Sequence, residues 1–206
     1  VKDFDATMRR GGDTALHEIS KFFTSTDAIH LSLHTIAATL QDSRIPYVVA
    51  GGMALVAHGC TRTTLDVQIL VTADRIAEAR EQLIDLGYIP PFKNSKNLRD
   101  TQTGIRIEFL LTGQFPGDGK PKPIAFPDPE SAGAFIDGIR YLKLEKLIEL
   151  KLASGMTNPG RVKDLGDVQE LIRALKLDDN FASKLDPYVQ DRFVELQKGL
   201  QSDQSE

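Results

Sequence analysis

Asp66 and Gln68 stand two residues apart in Leu65-Asp66-Val67-Gln68-Ile69-Leu70-Val71, a run whose other members are apolar. On an extended chain they project to one side, about 7 Å apart at about 3.3 Å per residue, while Leu65, Val67 and Ile69 project to the other. Two carboxylates in that relation, joined by a third acid from a neighbouring strand, would hold two magnesium ions against a triphosphate, because magnesium takes hard anionic oxygens. Position 68 is instead an amide, which can ligate but brings no charge. Upstream, the apolar run Tyr47-Val48-Val49-Ala50 ends in Gly51-Gly52. Glycines let a ligand approach the backbone, and a helix starting there turns free N–H groups and a partial positive charge outward, which suits phosphate. A tight turn needs glycines equally, so both readings stand for this pair.

Strands and helices must position these groups. Residues 45–50 read as a buried strand with Pro46 at its first position. Residues 53–59 make about two helical turns ending at Gly59, and residues 65–71 form a strand with β-branched filling. An amphipathic helix follows over 73–87, closed by Gly87, and Tyr88 opens a short extended piece. In GIRIEFLLTG, Ile105, Ile107, Phe109 and Leu111 alternate with Arg106, Glu108 and Leu110, the pattern of a half-buried strand. Near the N-terminus, Ile29, Leu33, Ile36, Ala37 and Leu40 recur at helical spacing, with Asp27 placed as N-cap.

The stretch GQFPGDGKPKPIAFPDPE is too long for a simple hairpin and reads as a functional loop. Its Lys120 and Lys122 suit either closure over a nucleotide or RNA phosphate, or plain solubility. Phe115 and Phe126 suit either base stacking or anchoring of the loop. From Tyr141 onward the pattern is helical throughout. The expected organisation is an N-terminal helical segment (1–44) packing on an α/β core (45–135), a helical C-terminal portion (136–200) and a frayed tail (201–206).

The glycine pair, the spacer and the Asp-apolar-polar strand resemble the nucleotidyltransferase superfamily, whose pattern ends in Asp-apolar-Asp/Glu with a third acid on a later strand. More narrowly, GGMALVAHGCTRTTLDVQILV followed by LIELKLASGMTNPGRVKDLGDV resembles the AbiEii-type branch, which includes toxins of abortive-infection toxin–antitoxin systems. Arg62, Thr64 and Asp66 match its Arg-x-Thr-x-Asp. Lys151 matches its downstream helical lysine, and Arg161, Lys163, Asp164 and Asp167 match its Arg-x-Lys-Asp-x-x-Asp element. The resemblance spans residues 45 to about 175.

What it implies is a mixed β-sheet core flanked by helices, an α/β (α+β) fold. It implies catalytic groups at Asp66, Glu108, Lys151, Asp164 and Asp167, and substrate contacts at Gly51, Gly52, Arg62, Thr64, Gln68, Arg161 and Lys163. Magnesium, with manganese as the alternative, is expected on Asp66 and Glu108. The implied reaction moves a nucleotidyl group from a nucleoside triphosphate to a hydroxyl of RNA, protein or a small molecule, and the implied partner is an antitoxin or regulatory protein. Gln68 departs from the pattern. Either transfer continues with one firmly held ion and Gln68 orienting a phosphate or metal-bound water, or catalysis has faded and a binding module remains.

Each candidate has a plainer account. Lys151 lies near the edge of the stripe Leu144, Leu147, Ile148 and Leu152, where a lysine can snorkel from a helix flank. Asp164 and Asp167 fall in the first turn of a helix, where acids favour the dipole, and the functional alternative has one of them fixing Lys151 or helping activate an acceptor. His58 suits the last turn of its helix or a base or phosphate contact, and Cys60 has no paired base to activate it.

Composition narrows the remaining classes. The chain has 206 residues, 41% hydrophobic and 26% charged, with net charge −4, so no global basic field points to nucleic acid. A single cysteine excludes an internal disulfide and fits a reducing cytoplasm, the expected location. The four histidines form no HExxH signature, and His30 and His34, four apart, lack a third ligand. No apolar run reaches the roughly 20 residues of a membrane span, and the first residues show no signal-peptide core, so no membrane partner is expected.

Overall fold

The computed structural model describes residues 28–61, 64 and 66–202. A helix over residues 28–42 (α1) leads to β1 (Val48–Ala50), α2 (Gly51–Ala57), β2 (Asp66–Val71), α3 (Ile76–Ile84), β3 (Tyr88–Ile89), β4 (Leu98–Asp100) and β5 (Arg106–Leu111). The short α4 (Pro129–Ala132) precedes the hairpin β6 (Gly133–Ile136) and β7 (Ile139–Leu142). Then come α5 (Leu144–Thr157), α6 (Val162–Leu175) and α7 (Pro187–Ser202), with 3-10 turns at Pro159–Arg161 and Asp179–Lys184 between them.

The strands form one mixed sheet ordered β3-β4-β5-β2-β1-β7-β6. At its centre β2 runs parallel to β5 and antiparallel to β1, which in turn runs parallel to β7. The alternation read from the sequence decides the faces. Val67, Ile69, Ile107 and Phe109 are fully buried, while Asp66, Gln68 and Glu108 are half-buried on the opposite face. Helix α1 buries Ile29, Leu33, Ile36, Ala37 and Leu40, and its His30 and His34 face solvent. Asp27, expected as its N-cap, lies outside the described residues, as do residues 203–206 of the tail.

The sheet is wider than the sequence pattern predicts. Strand β4 has three residues and two of them are charged, so hydrogen bonding to β3 and β5 rather than apolar alternation defines it. The hairpin β6–β7 carries the sheet past residue 135, where the helical portion was expected to begin, and β7 docks beside β1. Its turn, Asp137-Gly138, has φ of +48° and +80°, the backbone of a tight type I′ hairpin turn.

Helix α5 departs from its expected one-sided stripe. Every residue from Leu147 to Ser154 is buried, Glu149 and Lys151 included, because α6, α7 and the turn at Pro159–Arg161 pack against this helix. Lys151 is therefore no snorkelling surface lysine. Helix α7 is anchored in part through Phe193, whose ring lies 5.6 Å from that of Phe181. Among the described residues no helix is long and apolar enough to cross a membrane.

Phe109 is fully buried on β5. Phe109→Ala is expected to lower stability by about 3–5 kcal/mol, by lost transfer energy plus a residual cavity. Urea denaturation measures this, and a loss below about 1 kcal/mol would contradict the packing of this strand.

Candidate functional site

Where β1 meets α2 the backbone turns at Gly51, whose φ of +61° is open to glycine at little cost. The Gln68 carboxamide fills the space a Cβ at Gly51 would need, and Thr64 Cβ and Oγ1 stand 2.8 Å from the place of a Cβ at Gly52. Both glycines are thus required by close packing of the next strand against the turn. Helix α2 has only seven residues, so charged side chains, not a helix dipole, dominate the field here.

The parallel register sets Asp66 opposite Arg106 and Gln68 opposite Glu108. Arg106 grips Asp66 with two bonds, Nε to Oδ1 at 2.6 Å and Nη2 to Oδ2 at 3.0 Å. Beside them Gln68 Nε2 donates to Glu108 Oε2 at 2.6 Å. A carboxylate at 68 would instead bring two anionic oxygens together, a geometry that calls for a shared proton or an intervening cation. The amide removes that need.

A second network faces this one from the helices. Lys151 Nζ reaches Asp164 Oδ1 at 3.1 Å and Asp167 Oδ2 at 2.5 Å. Ser154 Oγ donates to Asp164 Oδ2 at 2.7 Å, and Arg161 Nε donates to the same oxygen at 2.9 Å. Lys151, Asp164 and Asp167 are only 7–8% exposed, so the ions are compensated internally. Burial pushes the Asp164 pKa up, but the charges of Lys151 and Arg161 and the Ser154 hydrogen bond outweigh it and hold the carboxyl below its ordinary range. Both aspartates fix Lys151, beyond any effect of the helix dipole.

The two networks border one cavity of about 270 Å³, lined by Gly51, Gly52, Thr64, Asp66, Gln68, Glu108, Lys151, Gly160, Arg161, Lys163 and Asp164. An adjoining pocket of about 340 Å³ shares six of these residues and adds apolar walls from Leu110, Phe115, Pro116, Phe126, Leu147 and Leu150. The Gly/Pro-rich loop therefore supplies one wall. It is stapled from within: Lys122 Nζ donates to Pro116 O at 2.5 Å and to Asp118 Oδ1 at 2.6 Å, and Lys122 lines neither pocket. A larger hollow of about 760 Å³ between the ends of α6 and α7 shares no lining residue with this site.

Of the residues singled out in the sequence, Asp167 sits behind the cavity wall on Lys151, and Arg62 lies outside the described residues. His58 caps the C-terminal end of α2, and its Nε2 donates to the Leu142 carbonyl at 2.7 Å, tying α2 to β7. Two participants were not foreseen. Arg106 was visible as a neighbour of Glu108 in the alternation, but its meeting with Asp66 depends on register. Ser154 carries no signal beyond its place one turn after Lys151.

The donor set does not fit a pair of divalent ions. Such a centre needs several anionic oxygens; here position 68 is neutral, Asp66 accepts from Arg106 on both oxygens and Glu108 accepts from Gln68. Among the described residues no group of three His, Cys, Asp or Glu is placed to hold a metal ion.

No protein-family model matches the chain, and no curated protein sequence matches it. Solved structures do. A crystal structure of ANT(2″)-Ia in complex with adenylyl-2″-tobramycin superposes with a TM-score of 0.52 at 14% identity, covering 84% of this chain and 97% of that one. The solution structure of the antibiotic-resistance factor ANT(2″)-Ia gives 0.53 at 15% identity, over 87% and 95%. The mixed sheet with flanking helices is the nucleotidyltransferase fold.

Lys151→Ala is expected to cost about 3–5 kcal/mol in denaturant unfolding, because it removes the buried cation that two buried carboxylates share. Asp164 adds a pH signature. Its folded pKa lies below the unfolded one, so its contribution is complete above the ordinary aspartate value of about 4 and fades as pH falls through the depressed value. Asp164→Asn should flatten the acid limb of stability against pH; an unchanged limb would contradict the network.

Proposed function

We propose that the chain binds a nucleoside triphosphate in this cleft and transfers its nucleotidyl group to a hydroxyl acceptor. The observation that carries the reading is the meeting of Asp66 and Glu108 with Arg161, Lys163 and Lys151 around one cavity beside Gly51 and Gly52. Cations so placed bind phosphate oxygens and offset the charge that develops on them during transfer. The acceptor oxygen bonds to the α-phosphorus, the bond to the bridging oxygen of pyrophosphate breaks, and pyrophosphate leaves. In this scheme Glu108, whose Oε1 lies outside its bond to Gln68, takes the acceptor proton. Lys151 is held in place for the phosphates by its two aspartates. The adjoining pocket with Phe115 and Phe126 suits a flat, weakly polar group.

A small-molecule hydroxyl suits these bounded walls better than a duplex nucleic acid, and an adenylylated small molecule is what the similar ANT(2″)-Ia structure holds. The AbiEii-type reading rests on the sequence matches Arg62, Thr64 and Asp66 and Lys151, Arg161, Lys163, Asp164 and Asp167, and it is supported by the charge network that joins Lys151, Arg161, Asp164 and Asp167. The neutral amide at position 68 favours a second reading, a nucleotide-binding module acting with a regulatory or antitoxin-like protein, because the site then carries one anionic group fewer and Gln68 itself satisfies Glu108.

Incubation with each labelled triphosphate and a panel of RNA, protein and aminoglycoside-type acceptors separates the two. Labelled product reduced about 100-fold or more by Asp66→Ala supports transfer. Triphosphate bound without product supports the module. Absence of triphosphate binding would sink both.

A further inference from the structure

We propose that the cleft takes its phosphates without a divalent ion, with Arg106 and Gln68 occupying the stations where cations would neutralise Asp66 and Glu108, and with Arg106 itself a phosphate ligand. This rests on the nucleotide reading of the cleft.

The polarity of the two strand pairs is the first reason. An ion bridging Asp66 and position 68 would have to displace a guanidinium bound to both Asp66 oxygens. At 68 it would meet an amide whose N–H already points to Glu108 and whose Oε1 lies against the Gly51 turn. The turn and the amide fit each other: a Cβ at Gly51 would collide with that oxygen. Each acid is thus neutralised or hydrogen-bonded by the protein's own N–H groups.

Unused donor capacity is the second reason. A guanidinium has five N–H groups. Arg106 gives Nε and one Nη2 hydrogen to Asp66, which leaves both hydrogens of Nη1 and one of Nη2, and its side chain is 54% exposed. Arg161 is anchored the same way, through Nε to Asp164 and Ser154, with its side chain 52% exposed. Arg161 lines the cavity, and Arg106 stands at its edge through its two bonds to the lining residue Asp66, so each offers the rest of a fork steadied by an acid to phosphate oxygens. Lys163 on the cavity wall adds a point charge. A carboxylate already paired with guanidinium repels an incoming phosphate far less than a bare one, which is the service a metal ion otherwise performs.

The test is calorimetric titration of the full chain with each nucleoside triphosphate, in EDTA and in magnesium chloride. Affinities agreeing within about threefold are expected. Arg106→Ala should weaken binding about tenfold or more in EDTA, and magnesium should then restore part of it, because Asp66 is released. Manganese titration followed by electron paramagnetic resonance reads the same point without nucleotide: no ion held by the natural chain, and an ion gained by Gln68→Asp. Binding that falls tenfold or more in EDTA and returns with magnesium, or manganese held by the nucleotide-free natural chain, would overturn metal-free binding and leave the nucleotide reading standing. No binding in either buffer would overturn the nucleotide reading and this proposal with it.

Discussion

Parallel pairing of β2 with β5 places four polar side chains side by side in the middle of an otherwise apolar sheet. Half-buried polar groups are tolerated only when their hydrogen bonds are made. The register satisfies them in pairs, Arg106 with Asp66 and Gln68 with Glu108. A slip of one residue would send these side chains to the core face and bring Val67 and Ile107 out. The buried alternation on the other face, ending in Phe109 and Ile69, forbids that slip.

The helical portion closes the cleft from the opposite side. Because the middle of α5 is buried, its lysine there must be compensated within the protein, and two aspartates from α6 do so. The same carboxylate steadies Arg161 at the cavity edge. The loop before α4 meets α5 at Gly117, where a Cβ would press on Ser154 and Thr157, and Asn158 Nδ2 donates to the Gly117 carbonyl at 3.1 Å. Sheet, helices and loop therefore reach the cleft through charge pairs and backbone contact, with the apolar core behind them.

Chemistry at such a site turns on its count of charges. An amide rather than an acid at position 68 decides what can stand between the strands: a second carboxylate calls for a shared proton or a cation, whereas the amide supplies its own donor. The fold shared with ANT(2″)-Ia leaves this point open, because a fold positions a site without deciding its electrostatics.

Much of the architecture was legible in the chain alone. Period-two alternation marked β2 and β5, helical spacing marked α1 and α5 to α7, and Gly51-Gly52 with Asp66, Gln68, Glu108, Lys151 and Arg161 named most of the cavity wall. Asp137-Gly138 between isoleucines was a readable hairpin signal that the helical reading of the following residues obscured. β4 carried no such signal, because its pairing comes from its neighbours. What periodicity cannot carry is register and partner. Side-chain direction follows from local backbone geometry and is written in the sequence, whereas which arginine meets which aspartate, forty residues apart, is set only when two strands align in space. The sequence determined the groups that face the cleft; the tertiary structure decided that they face each other.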